Sequence, residues 1–348
     1  MPRPEKPPTL ADVAQLAGVS VPAASRVLNG GVRGRQSGSP ELRRRIEDAA
    51  RALGYSVSPA AQTIKGGRAR TVAFIVNDID DFGSATMIAG IMHAAEKREV
   101  SVAVRTTRDD PLRELELLSA LGGERHRAIV VATSRTTDAR REAAVAGQLR
   151  TLNEHGAGVV IIGDNDLGFP TVRVDNRGAA HRLASGLAET GLRRFALVSA
   201  PAVQVTGLQR VRGFLDGLAE HGIAVPESDI IHAGFSRDGG YAAAGNLIDR
   251  VTELDCIAAM SDAMAVGVIA RLREAGVDAL ADIEVTGFDH VPMLGDVLPS
   301  FSTVEVPLED FGEAALSLVL DDEGQNKEPS ANIALGGRSI IRGVPDLV

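Results

Sequence analysis

Tryptophan is absent from this 348-residue sequence, cysteine occurs once, and aromatic residues make up 3% of it. The single Cys256 excludes an internal disulfide and suits a reducing cytoplasm. So thin an aromatic content gives no platform on which successive single-stranded bases could stack. No run approaches the ~18–20 apolar residues that span a bilayer. The opening MPRPEKPPTL lacks the apolar stretch of a signal peptide. A cytoplasmic protein without a membrane partner is therefore expected. Enzyme signatures are missing too. No G-x-G-x-x-G follows the strand-like 71–77, and there is neither a Gly-rich loop ending in Gly-Lys-Ser/Thr nor a G-x-S-x-G elbow. The seven histidines (93, 126, 155, 181, 221, 232 and 290) show no i,i+4 pair and no Cys partner. Neither a metal, a cofactor nor a catalytic residue is expected.

What is present is a charge asymmetry. The net charge is −9, yet residues 1–70 hold 12 Lys+Arg against 5 Asp+Glu, a net of +7, and the remainder carries −16. A basic head on an acidic body is the distribution of a chain with one end on phosphate. Within that head, residues 1–8 are Pro-rich and read as a disordered tail. Thr9 and Asp12 then have capping-box spacing, and Leu10, Val13, Ala14 and Ala17 recur at helical intervals. Gly18 supplies a turn, Ser20 a second cap, and Pro22 sits in a first turn where its missing N–H costs nothing. Two short helices joined this way form a helix-turn-helix pattern. Ala24, Val27 and Leu28 face inward, which leaves Val21, Pro22, Ser25, Arg26 and Asn29 outward. An outward Arg can pair bidentately with guanine, whereas Ser20, Ser25 and the helix N-terminus suit phosphate. A third helix starts at Ser39-Pro40 and ends at Gly54.

From residue 71 the rhythm changes. β-Branched runs at 71–77, 101–107, 128–134 and 158–164, then at 195–201, 229–235, 256–262 and 283–289, alternate with amphipathic segments such as 84–98, 138–155, 176–190, 206–221 and 262–275. Alternation of this kind implies βαβ units. Two series of about four units predict two doubly wound parallel sheets, one per lobe. The strand-like 302–307 and a helix over 308–320 are expected to return to the first lobe.

TLADVAQLAGVS, then SRVLNG and RALGY, resemble the lactose/galactose-repressor (LacI/GalR) family across residues 9–55. The likeness continues more loosely through VDN at 174–176, RVRGF at 210–214 and TGFD at 286–289. It implies a DNA-binding headpiece (9–57), a hinge helix (58–70) and a two-lobed core like the periplasmic binding proteins (71–348). The core would divide into an N-lobe of about 71–174 and 304–334 and a C-lobe of about 175–303 and 335–348. The resemblance also implies a regulator, most simply a repressor, that binds a near-palindromic operator as a homodimer under the control of a small molecule. Carried over position by position, Val21, Pro22 and Arg26 match base-reading residues. Thr9, Ser20, Ser25 and Asn29 match phosphate contacts, and Ile64 matches the apolar hinge residue that wedges into the minor groove.

The sequence departs from the family pattern in three places. The loop after Asn29 is about four residues longer and carries Arg33 and Arg35. The turn after Tyr55 reads SVSP in place of the usual Pro-Asn pair. In the effector cleft, Asp81-Phe82-Gly83-Ser84 replaces Asn-Pro-Phe-Phe, Ser261-Asp262 replaces Asn-Asp, and the position aligned with the sugar-clamping arginine is Leu208. The guanidinium is thus expected to be gone, and the stacking ring to have moved or vanished. Candidate effector residues are Asp81, Ser84, Asp164, Leu208, Phe235, Asp262 and Asp289. A sugar-like effector, another metabolite, a protein corepressor and no effector all stay open, as does a cytosolic ligand-binding protein with a non-functional headpiece.

Overall fold

The computed structural model describes residues 8–29, 38–56, 70–279, 281–321 and 332–341. The hinge segment with Ile64, and Arg33 and Arg35 of the longer loop, lie outside the described residues. The chain forms two compact units, 1–70 and 71–348.

Among the described residues the first unit holds three helices: α1 (Leu10–Leu16), α2 (Val21–Asn29) and α3 (Pro40–Leu53). Thr9 and Asp12 form the expected capping box: the Thr9 amide donates to Asp12 Oδ2 at 2.7 Å, and the Asp12 amide donates to Thr9 Oγ1 at 3.4 Å. Ser20 Oγ accepts from the Ala23 amide, and Ser39 Oγ from the Leu42 amide. Gly54 stops α3 in the left-handed conformation, φ +63°, which a side chain would strain. Val13, Ala14, Ala17, Ala24, Val27, Ile46, Ala49 and Ala50 meet in one small core. Mostly alanines, they let three short helices approach closely, and Ile46 is the largest fully buried side chain among them.

In the second unit the N-lobe elements are β1 (Thr71–Val76), α4 (Phe82–Lys97), β2 (Ser101–Thr106), α5 (Pro111–Leu121), β3 (Ala128–Ala132), α6 (Ala139–Glu154), β4 (Gly158–Ile162) and β5 (Thr171–Val174). The C-lobe elements follow: α7 (Asn176–Glu189), β6 (Phe195–Ser199), α8 (Val205–Glu220), β7 (Ile230–His232), α9 (Arg237–Gly245), β8 (Cys256–Ala259), α10 (Asp262–Glu274), β9 (Glu284–Thr286) and α11 (Pro292–Val297). The chain closes with β10 (Thr303–Glu305), α12 (Asp310–Leu320), β11 (Asn332–Leu335) and β12 (Arg338–Ile340).

One sheet has the order β11-β5-β4-β3-β1-β2 and the other β7-β6-β8-β9, with every pairing parallel. The expectation of two doubly wound parallel sheets is met. The first sheet is wider than four strands because β5 and β11 join it. β5 is only TVRV, with a charged residue inside it, and β11 is a half-exposed edge strand, so neither announces itself as an apolar run. The other difference concerns 302–307. β10 does not enter the first sheet. It pairs antiparallel with β12 and bridges to β9 through Thr286 and Ser302, while α12 packs on α4 beneath the first sheet. Strands β1, β3 and β4 are buried on both faces, as Phe74, Ile129 and Ile161 illustrate with 0% exposure. Each such side chain contributes roughly 1.5–3 kcal/mol. Helices α7 and α8 approach until a Cβ on Gly213 would sit 2.0 Å from the Arg177 carbonyl oxygen. The chain passes between the two sheets at 174–176, again between β9 and α12, and last at Gly336-Gly337.

Candidate functional site

The helix-turn-helix presents one polar face. Val21 is 43% exposed, and Pro22 and Arg26 are exposed beside it, while Ala24 and Val27 anchor α2 from beneath. Thr9 and Ser20 lie at exposed helix starts. Their hydroxyls complete caps, so the neighbouring orphan N–H groups are oriented outward at two helix N-termini. Ser25 corrects the expected outward face. It is 4% exposed, because its position on α2 falls beside Ala24 on the buried stripe, so it faces the headpiece interior.

In the second unit a cavity of about 750 Å³ opens at the carboxyl ends of the strands, between the two lobes. Open α/β sheets place ligands at this edge. From the N-lobe it is lined by Asn77, Asp78, Asp81 and Ser84 after β1, Arg108 and Asp109 after β2, Thr133–Arg135 after β3, and Asp164 after β4. The C-lobe contributes Arg210 from α8, Phe235 and Arg237 before and in α9, and Asp289 after β9. Of the residues expected here, Asp81, Ser84, Asp164, Phe235 and Asp289 are brought together. Asp81 caps α4 by accepting from the Ser84 amide at 2.8 Å, which orients its carboxylate at the cavity edge.

Two expected residues do not belong. Asp262 is completely buried and lies outside the lining. Its Oδ2 accepts from the Val291 amide and its Oδ1 from Thr303 Oγ1, both at 2.8 Å, so it ties the start of α10 to the segments around β10. Burial raises its pKa, and those hydrogen bonds oppose the rise. Leu208 is half-buried and does not reach the cavity. The guanidinium thought lost is supplied by Arg210. It donates to Asn176 Oδ1 at 2.8 Å, to the Met260 carbonyl at 2.7 Å and to Asp289 Oδ1 at 3.0 Å. It also stacks 3.7 Å over the Phe288 ring. Aromatic faces survive as well: Phe82, Phe235 and Phe311 all line the cavity. Arg210 could have been found in the sequence by placing RVRGF one turn into a helix that starts at a strand's carboxyl end. Asp109 could have been found from its place in the turn after β2.

The electrostatics follow from this packing. Burial, reinforced by Asp262 and Asp81, pushes Asp289 up to about 7 against the opposing pull of Arg210. Asp289 and His290 also hold left-handed φ values of 118° and 52°, uncommon away from glycine. Asp164 is raised by burial, which a hydrogen bond from Asn176 partly offsets. The result is a half-enclosed pocket rich in acceptors, walled by phenyl faces and by the guanidiniums of Arg108, Arg135, Arg210 and Arg237, with Arg210 and Arg135 both held by hydrogen bonds. That combination fits a neutral molecule bearing several hydroxyl or N–H donors.

Residues 9–58 match the model for bacterial regulatory proteins of the lacI family, and residues 184–343 match the periplasmic binding protein-like domain. The chain belongs to the lacI family of bacterial regulatory proteins. Relatives of this LacI-family chain include the HTH-type transcriptional regulator CelR of Thermobifida fusca, 29% identical over 92% of this chain and 94% of that one. Catabolite control protein A of Priestia megaterium is 26% identical over 89% and 91%. Among solved structures, a CelR–cellobiose complex is 27% identical, with a TM-score of 0.68 over 96% of this chain and 99% of that one. The lac repressor dimer bound to operator and the anti-inducer ONPF, at 19% identity and TM-score 0.79 over 97% and 98%, shares the fold. The LacI-family chain is therefore a DNA-binding transcriptional regulator with an effector-binding domain, and not an enzyme.

Proposed function

We propose that this regulator represses transcription in the cytoplasm as a homodimer on a near-palindromic operator, and that a sugar-like effector in the inter-lobe cavity modulates its affinity. Two copies of α2 enter successive major grooves about one helical turn apart. Val21, Pro22 and Arg26 read base edges, and Thr9, Ser20 and Asn29 hold phosphates. Ile64 wedges between central base steps at a cost of a few kcal/mol in unstacking. The effector lies against Phe235, with Arg210, Asp81, Asp164 and Asp289 taking its hydroxyls and the helix start at Ser84 closing one side. Cellobiose, the ligand of the CelR complex, is the first compound to try. A change in lobe angle on binding alters DNA affinity by a coupling of typically ~1–3 kcal/mol.

The observation that carries the reading is the exposed Val21–Pro22–Arg26 face standing on a buried Ala24–Val27 stripe. Footprinting on genomic DNA, followed by anisotropy titration of the duplex it finds, tests it. Arg26→Ala should flatten the preference for that duplex while the helical circular-dichroism signal persists, and wild-type affinity should fall steeply with salt. A salt-independent titration, or site preference undiminished in Arg26→Ala, would return the chain to the class of ligand-binding proteins with an idle headpiece.

A further inference from the structure

The lobes are joined at a place where the chain does not cross. The Thr137 amide donates to the Val203 carbonyl, and the Val205 amide donates to the Arg135 carbonyl, each at 2.9 Å. Together they make an antiparallel bridge of Thr136 with Gln204. One strand of this bridge follows β3 of the N-lobe, and the other precedes α8 of the C-lobe. Ser134, Arg135 and Thr206 beside it line the cavity, as do Asn176 and Asp289 at two of the covalent crossovers.

We infer that this bridge is a latch across the effector cavity, which must open for a ligand to enter or leave; the inference rests on the cavity being the effector site. The two halves are built differently. The N-lobe half is fixed. Glu142 Oε1 accepts from the Thr136 amide at 3.0 Å and from its hydroxyl at 3.1 Å, and Glu142 Oε2 accepts from Arg135. Arg135, 2% exposed, is held from its other side by Glu114 and Thr133. Charged groups buried in so complete a network keep one arrangement, because losing any partner would strand a buried charge. The C-lobe half is lightly tied. Gln204 is the N-cap of α8, yet its side chain makes no capping hydrogen bond. Val205, the first helical residue, has an N–H without an intrahelical acceptor, and the Arg135 carbonyl of the opposite lobe supplies one. Closure of the lobes thus caps α8, and opening leaves that N–H to water. Solvent-exchangeable bonds of this kind are individually weak, so the latch is able to open.

Val205→Pro tests it. The substitution removes the donor but suits the first turn of a helix. Gln204 already has φ −81° and ψ 124°, the extended backbone that a following proline requires. Hydrogen exchange on the full chain, read by mass spectrometry, needs no ligand. We expect the Thr137 amide to exchange about 2- to 10-fold faster in Val205→Pro, as losing one net hydrogen bond predicts, while peptides from the body of α8 keep their protection. Unchanged Thr137 exchange overturns the latch. Should α8 itself lose protection, the pair Thr136→Cys/Gln204→Cys decides. Bridged residues lie within disulfide range, and the native Cys256 is buried away from them. Failure of that pair to oxidise overturns the proposal. Cellobiose should bind the oxidised pair more slowly than the pair reduced with dithiothreitol, and equal rates would refute gating. If cellobiose binds no form at all, the sugar reading of the cavity fails, whereas the exchange and oxidation results still decide the latch.

Discussion

Asp289 allows the sharpest quantitative test, because its environment converts directly into a pH dependence. Its carboxyl titrates near 7 in the folded chain against an ordinary value of 3.8. Between these values the folded state keeps a proton that the unfolded state has released. Stability therefore falls as pH rises through this window and levels off above the folded value. Integrated from pH 5 to pH 8, a shift of this size costs about 2–3 kcal/mol. Solvent screening removes little of that, since the Asp289 side chain is 14% exposed and Arg210 beside it 7%. Asp164 and Asp262 are displaced in the same direction and add to the total slope. The clean measurement is therefore a difference. Urea denaturation of the wild type and of Asp289→Asn is followed at several values from pH 5 to pH 8, and the variant's profile is subtracted. Asparagine retains an acceptor for Arg210 but cannot titrate. The subtracted profile should decline by about 2–3 kcal/mol across the window, steepest below pH 7 and flattening above it. A flat difference, or one rising with pH, would mean that Asp289 is solvated and ionised throughout, and that the buried account of this corner of the cavity is wrong.

Three further outcomes are expected. Arg210→Ala should abolish effector-dependent changes in DNA binding and destabilise the core by about 1–3 kcal/mol or more, because the buried Asn176 and Met260 oxygens lose their donor; a melt within 1 °C of wild type would refute this. Thr9→Ala removes one half of the capping box and should cost the headpiece about 1 kcal/mol, seen in the amide exchange of α1, with no change in the exchange of the core. Gly213→Ala drives a methyl group into the Arg177 carbonyl oxygen and should destabilise by 1–3 kcal/mol or more, which differential scanning calorimetry of the core transition would register; an unchanged transition would show that α7 and α8 can separate freely.

The fold was more legible than the site, for a physical reason. Helix starts are chemical statements: Thr9 with Asp12, Ser20 with Pro22 and Ser39 with Pro40 each satisfy orphan N–H groups in ways few other patterns do, and the structure places a helix after every one. β1, β3 and β4 are read equally well, because a strand buried on both faces must be apolar at every position. β5 and β11 escape notice because each has only four residues, β5 with Arg173 inside it and β11 half exposed. Ser25 is misplaced for a finer reason. On a nine-residue helix the boundary between faces is one residue wide, and the small hydroxyl can be enclosed where a longer polar side chain could not.

The effector cleft was least legible because its members come from many separate segments, and assigning them depends on helical phase. Leu208 and Arg210 show how little error is needed. Two residues along a helix turn the side chain by about 200°, close to the opposite face. Aligning the clamp with Leu208 therefore pointed it away from the cavity and made the site look as if it lacked a guanidinium, while Arg210 holds Asn176, the Met260 carbonyl and Asp289 at the right phase. The geometry separates the two alignments. Leu208→Ala should leave effector affinity within about twofold of wild type and cost only what a half-buried leucine contributes, about 1 kcal/mol. Leu208→Arg, in an Arg210→Ala background, should fail to restore effector response, since its guanidinium would start from the wrong face of α8. Restoration by that second substitution would show that α8 can present either position to the cleft, and the assignment of Arg210 as the cation that α8 turns toward the effector would have to be given up.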